Sequence, residues 1–176
     1  LRAGFEGEGI DMSLFESDEY QWRETFFVLF RPEAHPKADD VQKALQRLDP
    51  RYVVRDVRAD EQGRLESLTL ESPDDYSAMD ISLIQGDEVT EQTEGIKSEL
   101  LKSATSAAEK QRVRQLDQLT CRFDIYHFEQ LVFVGRSEDD EDADDFLDPG
   151  AVLTVMQKIA QLCQGVVVDP QANTLL

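Results

Sequence analysis

Cysteine, histidine and tryptophan are scarce in this chain: two, two and one among 176 residues. Two separated cysteines, Cys121 and Cys163, cannot build a disulfide framework. Both lie in apolar stretches, where a reduced, buried thiol is the common outcome. That points to a reducing cytoplasm. With two histidines and no close-spaced ligand pair, a zinc set is not expected. Glycine-rich phosphate loops and the serine nucleophile elbow are also missing. No apolar run is long enough to cross a bilayer. No basic-then-apolar signal segment opens the chain. Met12 reads as the natural start, with Leu1 to Asp11 as extra sequence before it.

Bases are scarce too, 18 against 37 acids, for a net charge of −19. The excess is concentrated. Residues 1–24 carry −5, residues 138–148 carry −8, and the rest of the chain only −6. Such acidity repels nucleic-acid phosphates and anionic membrane surfaces. Neither is an expected partner. A basic protein is.

What is present begins with strands. Glu24–Phe30 is a short aromatic-rich run ending at Arg31-Pro32, as a buried strand does. Ala38, Val41, Leu45 and Leu48 recur at helical spacing until Asp49-Pro50. Tyr52–Ala59, Leu65–Glu71 and Ala78–Ile84 read as an antiparallel meander. Gly63 supplies the positive φ of its first turn. Val89–Leu119 is helical, with a break near Ser103–Ser106. Lys110, Arg112 and Arg114 belong on a solvated face of it. Cys121–Phe128 is a strand, and Leu131–Val134 extends it or forms another. A helix starts at Asp148-Pro149 with an aspartate cap. It buries Val152, Met156, Ile159 and Cys163 and ends at Gly165. Val166–Val168 is the last strand. Residues 1–22 read as an irregular acidic segment and 23–176 as one α+β domain with an acidic loop at 137–148. A ferredoxin-like or related mixed or antiparallel sheet, with helices mainly on one face, is the expected fold.

The acidic loop is the first candidate site. Asp140, Asp142 and Asp144 alternate as calcium-loop ligands would. However, Asp145 stands where that loop needs glycine, and Ala151 where it needs glutamate. Glu138, Asp139, Asp140, Glu141, Asp142, Asp144 and Asp145 are instead assigned to contact with a basic partner. Asp144, Asp145 and Asp148 also favour the helix N-terminus beside them.

The remaining candidates weigh lightly. Cys121 and His127 lie on one strand face, about 20 Å apart at ~3.3 Å per residue, too far for a nucleophile–base pair. His35, before Pro36, is expected to be exposed. Asp80 and Asp124 are expected on the polar, solvent-facing side of the sheet. Trp22 is expected to cover the core. No cofactor or metal is expected.

The C-terminal stretch Ala151–Leu176 joins an amphipathic helix, then Gly165-Val166-Val167-Val168-Asp169-Pro170-Gln171, then a polar turn and Leu175. It resembles uncharacterised bacterial α+β domains, including some immunity proteins of contact-dependent toxin systems. The resemblance implies a bacterial, cytoplasmic, non-catalytic protein. It carries over no functional residues.

The function expected from these features is a non-enzymatic acidic interaction module for a basic protein. One alternative is a hydrolase-type or metal-assisted enzyme with carboxylates such as Asp80 and Asp124 converging on the sheet. Another is a structural homo-oligomer.

Overall fold

A computed structural model of the chain describes residues 13–131 and 150–176. The acidic residues 138–145, the Asp148-Pro149 cap, the segment 132–134 and Met12 lie outside them.

The first strand, β1 (Tyr20–Phe30), is longer than its apolar run suggests. Its residues Gln21, Trp22 and Arg23 are exposed, and its register slips between Trp22 and Glu24. Helix α1 (Ala38–Leu48) follows and buries Ala38, Val41 and Leu45. Then come β2 (Val53–Ala59), β3 (Leu65–Ser72) and β4 (Ser77–Gln85), the expected meander. Gly63 does hold positive φ, at 76°. The Asp60 carboxylate closes that turn by accepting from the Gln62 and Arg64 amides at 3.0 and 2.9 Å.

The expected helical stretch divides where its register weakens. Helix α2 is Asp87–Ser103 and α3 is Ala107–Arg114. A reciprocal capping box restarts the chain between them. The Ser106 hydroxyl accepts from Glu109 N–H at 3.1 Å, and the Glu109 carboxylate accepts from Ser106 N–H. The set is completed by β5 (Cys121–Gln130), α4 (Gly150–Cys163), β6 (Val166–Asp169) and the short β7 (Thr174–Leu175).

The fold is α+β, as expected. Among the described residues, seven strands form one open antiparallel sheet in the order β2-β3-β4-β5-β1-β6-β7. Strand β1 is inserted between β5 and β6, the two strands that α4 connects. This is the split β-α-β arrangement of ferredoxin-like folds. The main core lies between one sheet face and α1 and α4. It includes Val28, Phe30, Leu70, Ile81, Phe123 and Ile125. Helices flank both faces rather than one. On the opposite face α2, α3 and the turn after them enclose Leu29, Val89, Leu100, Val113, Leu116 and Val168.

The end of α4 differs from its expected form. The left-handed residue is Gln164, at φ 51°, not Gly165. Gly165 N–H donates to Ala160 O at 2.8 Å, closing a Schellman-type turn. Glycine is required there by packing. A Cβ on Gly165 would lie 2.7 Å from Leu29 O and 2.9 Å from both Cys163 Sγ and Val28 Cγ1.

Candidate functional site

Alternation along β5 sends Cys121, Phe123 and Ile125 into the main core and turns Arg122, Asp124, Tyr126 and Phe128 to the opposite face. Pairing with the neighbouring strands builds rows across that face. Ile84, Arg122 and Leu29 form one. Ser67, Ser82, Asp124 and Phe27 form the next. Thr69, Asp80, Tyr126 and Thr25 form a third, and Glu71, Ala78, Phe128 and Trp22 a fourth. The face therefore grades from apolar, through charged and hydroxylic, to aromatic.

Asp124 is buried, where a solvent-facing aspartate was expected. Its side of the sheet is the polar one, but α2 lies over it. Arg122 clamps its two carboxylate oxygens, Nε at 2.5 Å from Oδ1 and Nη2 at 3.1 Å from Oδ2. Gln92 of α2 accepts from the remaining guanidinium nitrogen. The guanidinium carbon sits 4.0 Å from the centre of the Phe27 ring. Burial pushes the Asp124 carboxyl up from its ordinary range, while bonds from Arg122 and Tyr126 pull it back. The close bidentate geometry favours the ion pair.

Asp80 is half-buried rather than solvent-facing. Its oxygens accept from Thr69 Oγ1 at 2.6 Å and from Leu14 N–H at 3.3 Å. The second bond anchors the 3-10 turn Leu14–Glu16, which Ser13 caps. Leu14 is buried against Ala78 and Phe128. Phe15 stays 57% exposed, with its ring edge-on to Tyr126 and Phe128 at centroid distances of 5.3 and 4.7 Å. Beside this turn Ser13, Ser67, Thr69, Asp80, Ser82 and Arg58 border a shallow depression of about 260 Å³. Asp80 and Asp124 thus share a face, but each has its oxygens engaged within the protein.

Tyr126 lies between the two covers. Its hydroxyl donates to Asp124 Oδ2 at 3.3 Å, and its ring meets Phe15. Burial first, then the Asp124 charge, raise its pKa, with a smaller contribution from Glu88. Trp22 is 45% exposed instead of covering the core. The register slip that follows it sets it on the open face. There its indole N–H donates to Thr25 Oγ1 at 3.1 Å.

The histidines and cysteines have structural places. His35 is buried, not exposed. Its Nε2 lies 2.7 Å from Leu65 O, and its ring packs on Phe30 and Phe123. His127 Nδ1 lies 3.2 Å from Glu24 Oε1. Cys121 and Cys163 are both free and buried, as expected. Burial pushes the Cys163 thiol up to about 12. Lys110, Arg112 and Arg114 are exposed, as expected. Among the described residues no group of three or more histidine, cysteine, aspartate or glutamate side chains is placed to hold a metal ion. No helix among them is long and apolar enough to cross a membrane.

Phe15, Gln92 and Arg122 were not singled out from the sequence. Arg122 had a signal: it stands two residues from Asp124 on one strand, so the two side chains share a face. Phe15 had none, since it precedes the first recognisable strand. Compared with protein-family models, curated proteins and solved structures, the chain shows no match.

Proposed function

We propose that the protein is a non-enzymatic, acidic protein-interaction module that binds a basic protein partner. The observation that carries this is where its positive charges go. Arg23, Arg51, Arg55, Arg64, Lys97, Lys102 and Arg122 are all paired with carboxylates of the chain itself. The surplus of acids behind the net charge of −19 is thus left to solvent and partners. A field of that sign steers basic proteins and repels acidic ones. Glu138, Asp139, Asp140, Glu141, Asp142, Asp144 and Asp145 belong to this surplus, and we assign them to the contact. Two reduced, buried cysteines fit a cytoplasmic protein. The resemblance of Ala151–Leu176 to bacterial immunity proteins fits neutralisation of a basic toxin.

The test is capture of partners on the immobilised full chain, followed by kinetics on the purified partner. The expected partner has a basic isoelectric point. Its association rate should fall steeply as salt rises toward physiological strength. A neutral or acidic partner with salt-independent association overturns the proposal.

A further inference from the structure

Among the described residues seven large apolar side chains are notably exposed, and four of them, Phe15, Trp22, Tyr76 and Leu131, lie at one end of the sheet. There β1 and β4 begin and β5 ends. Register and hydrogen bonds place the four at this end. Trp22 stands opposite Phe128. Phe15 rests on Phe128 and Tyr126. Tyr76 O accepts from Gln130 N–H at 2.7 Å, and Leu131 N–H donates to Glu19 O at 2.8 Å. Scattered apolar residues need no explanation, but Phe15 and Trp22, both set beside Phe128, mark a contact surface.

The rim of this patch is acidic. Glu16, Asp18 and Glu19 are exposed, and none has an ion-pair partner among the described residues. The nearest base on β1, Arg23, is held by Glu129 at 2.9 Å. Exposed aromatic faces beside unneutralised carboxylates suit one side chain above others. A guanidinium can stack on a ring while its edge bonds a carboxylate. The protein already contains that arrangement, with Arg122 over Phe27 and clamped to Asp124.

We infer that this aromatic end of the sheet is a contact surface in addition to the acidic residues 138–145, and that it takes an arginine-bearing basic segment of a partner protein. The inference rests on the basic-partner proposal and adds a second contact point and its chemistry. Charge complementarity selects the occupant. A second copy would bring the same acids against each other. Strand addition at the β2 edge is discouraged, because the register breaks between Arg55 and Arg58 and Asp56 sits at φ 54°.

Trp22 is the sole tryptophan and so reports directly on the patch. The full chain is titrated with hexa-arginine and hexa-lysine peptides while Trp22 emission is followed. The expected result is a saturable change that is tighter for arginine. Phe15→Ala, and separately Glu16→Gln with Asp18→Asn and Glu19→Gln, should each weaken it about tenfold. All these positions are exposed, so the variants should keep the wild-type circular dichroism. Replacing the acids of 138–145 by their amides should leave most of the emission change. If that replacement abolishes binding and Phe15→Ala does not, this surface is wrong while the basic-partner proposal stands. If neither peptide binds the wild type, both fall. A dimer in light scattering that Phe15→Ala dissociates makes the patch a self-interface and overturns the inference.

Discussion

Arg122 and Asp124 form a buried bidentate ion pair on a single strand, two residues apart, with both side chains almost fully enclosed. The pair is the hinge between the apolar rows under α2 and the open polar rows beyond. It lets α2 close over a charged part of the sheet, because Gln92 satisfies the last guanidinium nitrogen.

Removing one partner should therefore cost far more than removing both. Arg122→Met leaves a buried carboxylate without its counter-ion and should destabilise by about 3–5 kcal/mol. The double variant Arg122→Met, Asp124→Leu should recover much of that loss. Urea unfolding of the single and double variants, read as a mutant cycle, checks this. Equal losses would mean the pair contributes little beyond packing.

Acidification should weaken the fold through His127. Burial lowers its pKa below the ordinary 6.5, although the Glu24 carboxylate opposes the shift. Below 6.5 the unfolded chain takes up a proton that the folded imidazole still refuses. Stability from this group is then complete above pH 6.5 and is lost as pH falls through the folded value. Urea midpoints at pH 7.5, 6.5 and 5.5 should drop more for the wild type than for His127→Gln.

The thiols should be silent in the native protein. The Cys163 thiol, pushed up to about 12, donates to Ile159 O at 3.1 Å. Cys121 is likewise buried with a raised pKa. A thiol reagent needs the thiolate and access. At pH 8 neither cysteine should react until the chain unfolds, whereas in denaturant both should. Fast labelling of the native protein would refute the placement of α4 against β1.

Two neighbouring positions at the end of α4 should respond in opposite directions. Gly165→Ala drives a Cβ into Leu29 O and should cost about 1–3 kcal/mol. Gln164→Gly relieves a left-handed residue at φ 51° and should add about 0.5–1 kcal/mol. Thermal melts of the two variants check the sign of each.

Much of this architecture is legible in the amino-acid sequence. Period-two alternation locates the meander and β5, and the α4 stripe at Val152, Met156, Ile159 and Cys163 is buried as spacing requires. What escapes is whatever depends on a neighbour distant in the chain. Alternation places Asp124 on the polar face but says nothing of the helix above it. His35 follows a proline-rich turn that looks exposed until Leu65 O and Phe123 close on it. Strand β7 is two residues long, too short for any period. The candidate patch is hidden for the same reason: Phe15 and Phe128 are far apart in the chain and meet only in the folded sheet.

The insertion of β1 between β5 and β6 has a consequence for biogenesis. Strand β1 precedes β2 to β7 in the chain yet is an interior strand of the sheet, and neither of its partners is made until Cys121 and beyond. Until then Phe26, Val28 and Phe30 have no strand to lie beside. Pairing of β1 waits until β5 is made, and its rate depends on contacts distant in sequence. The meander β2-β3-β4, complete by Gln85, is the part that can form while the rest is still being translated.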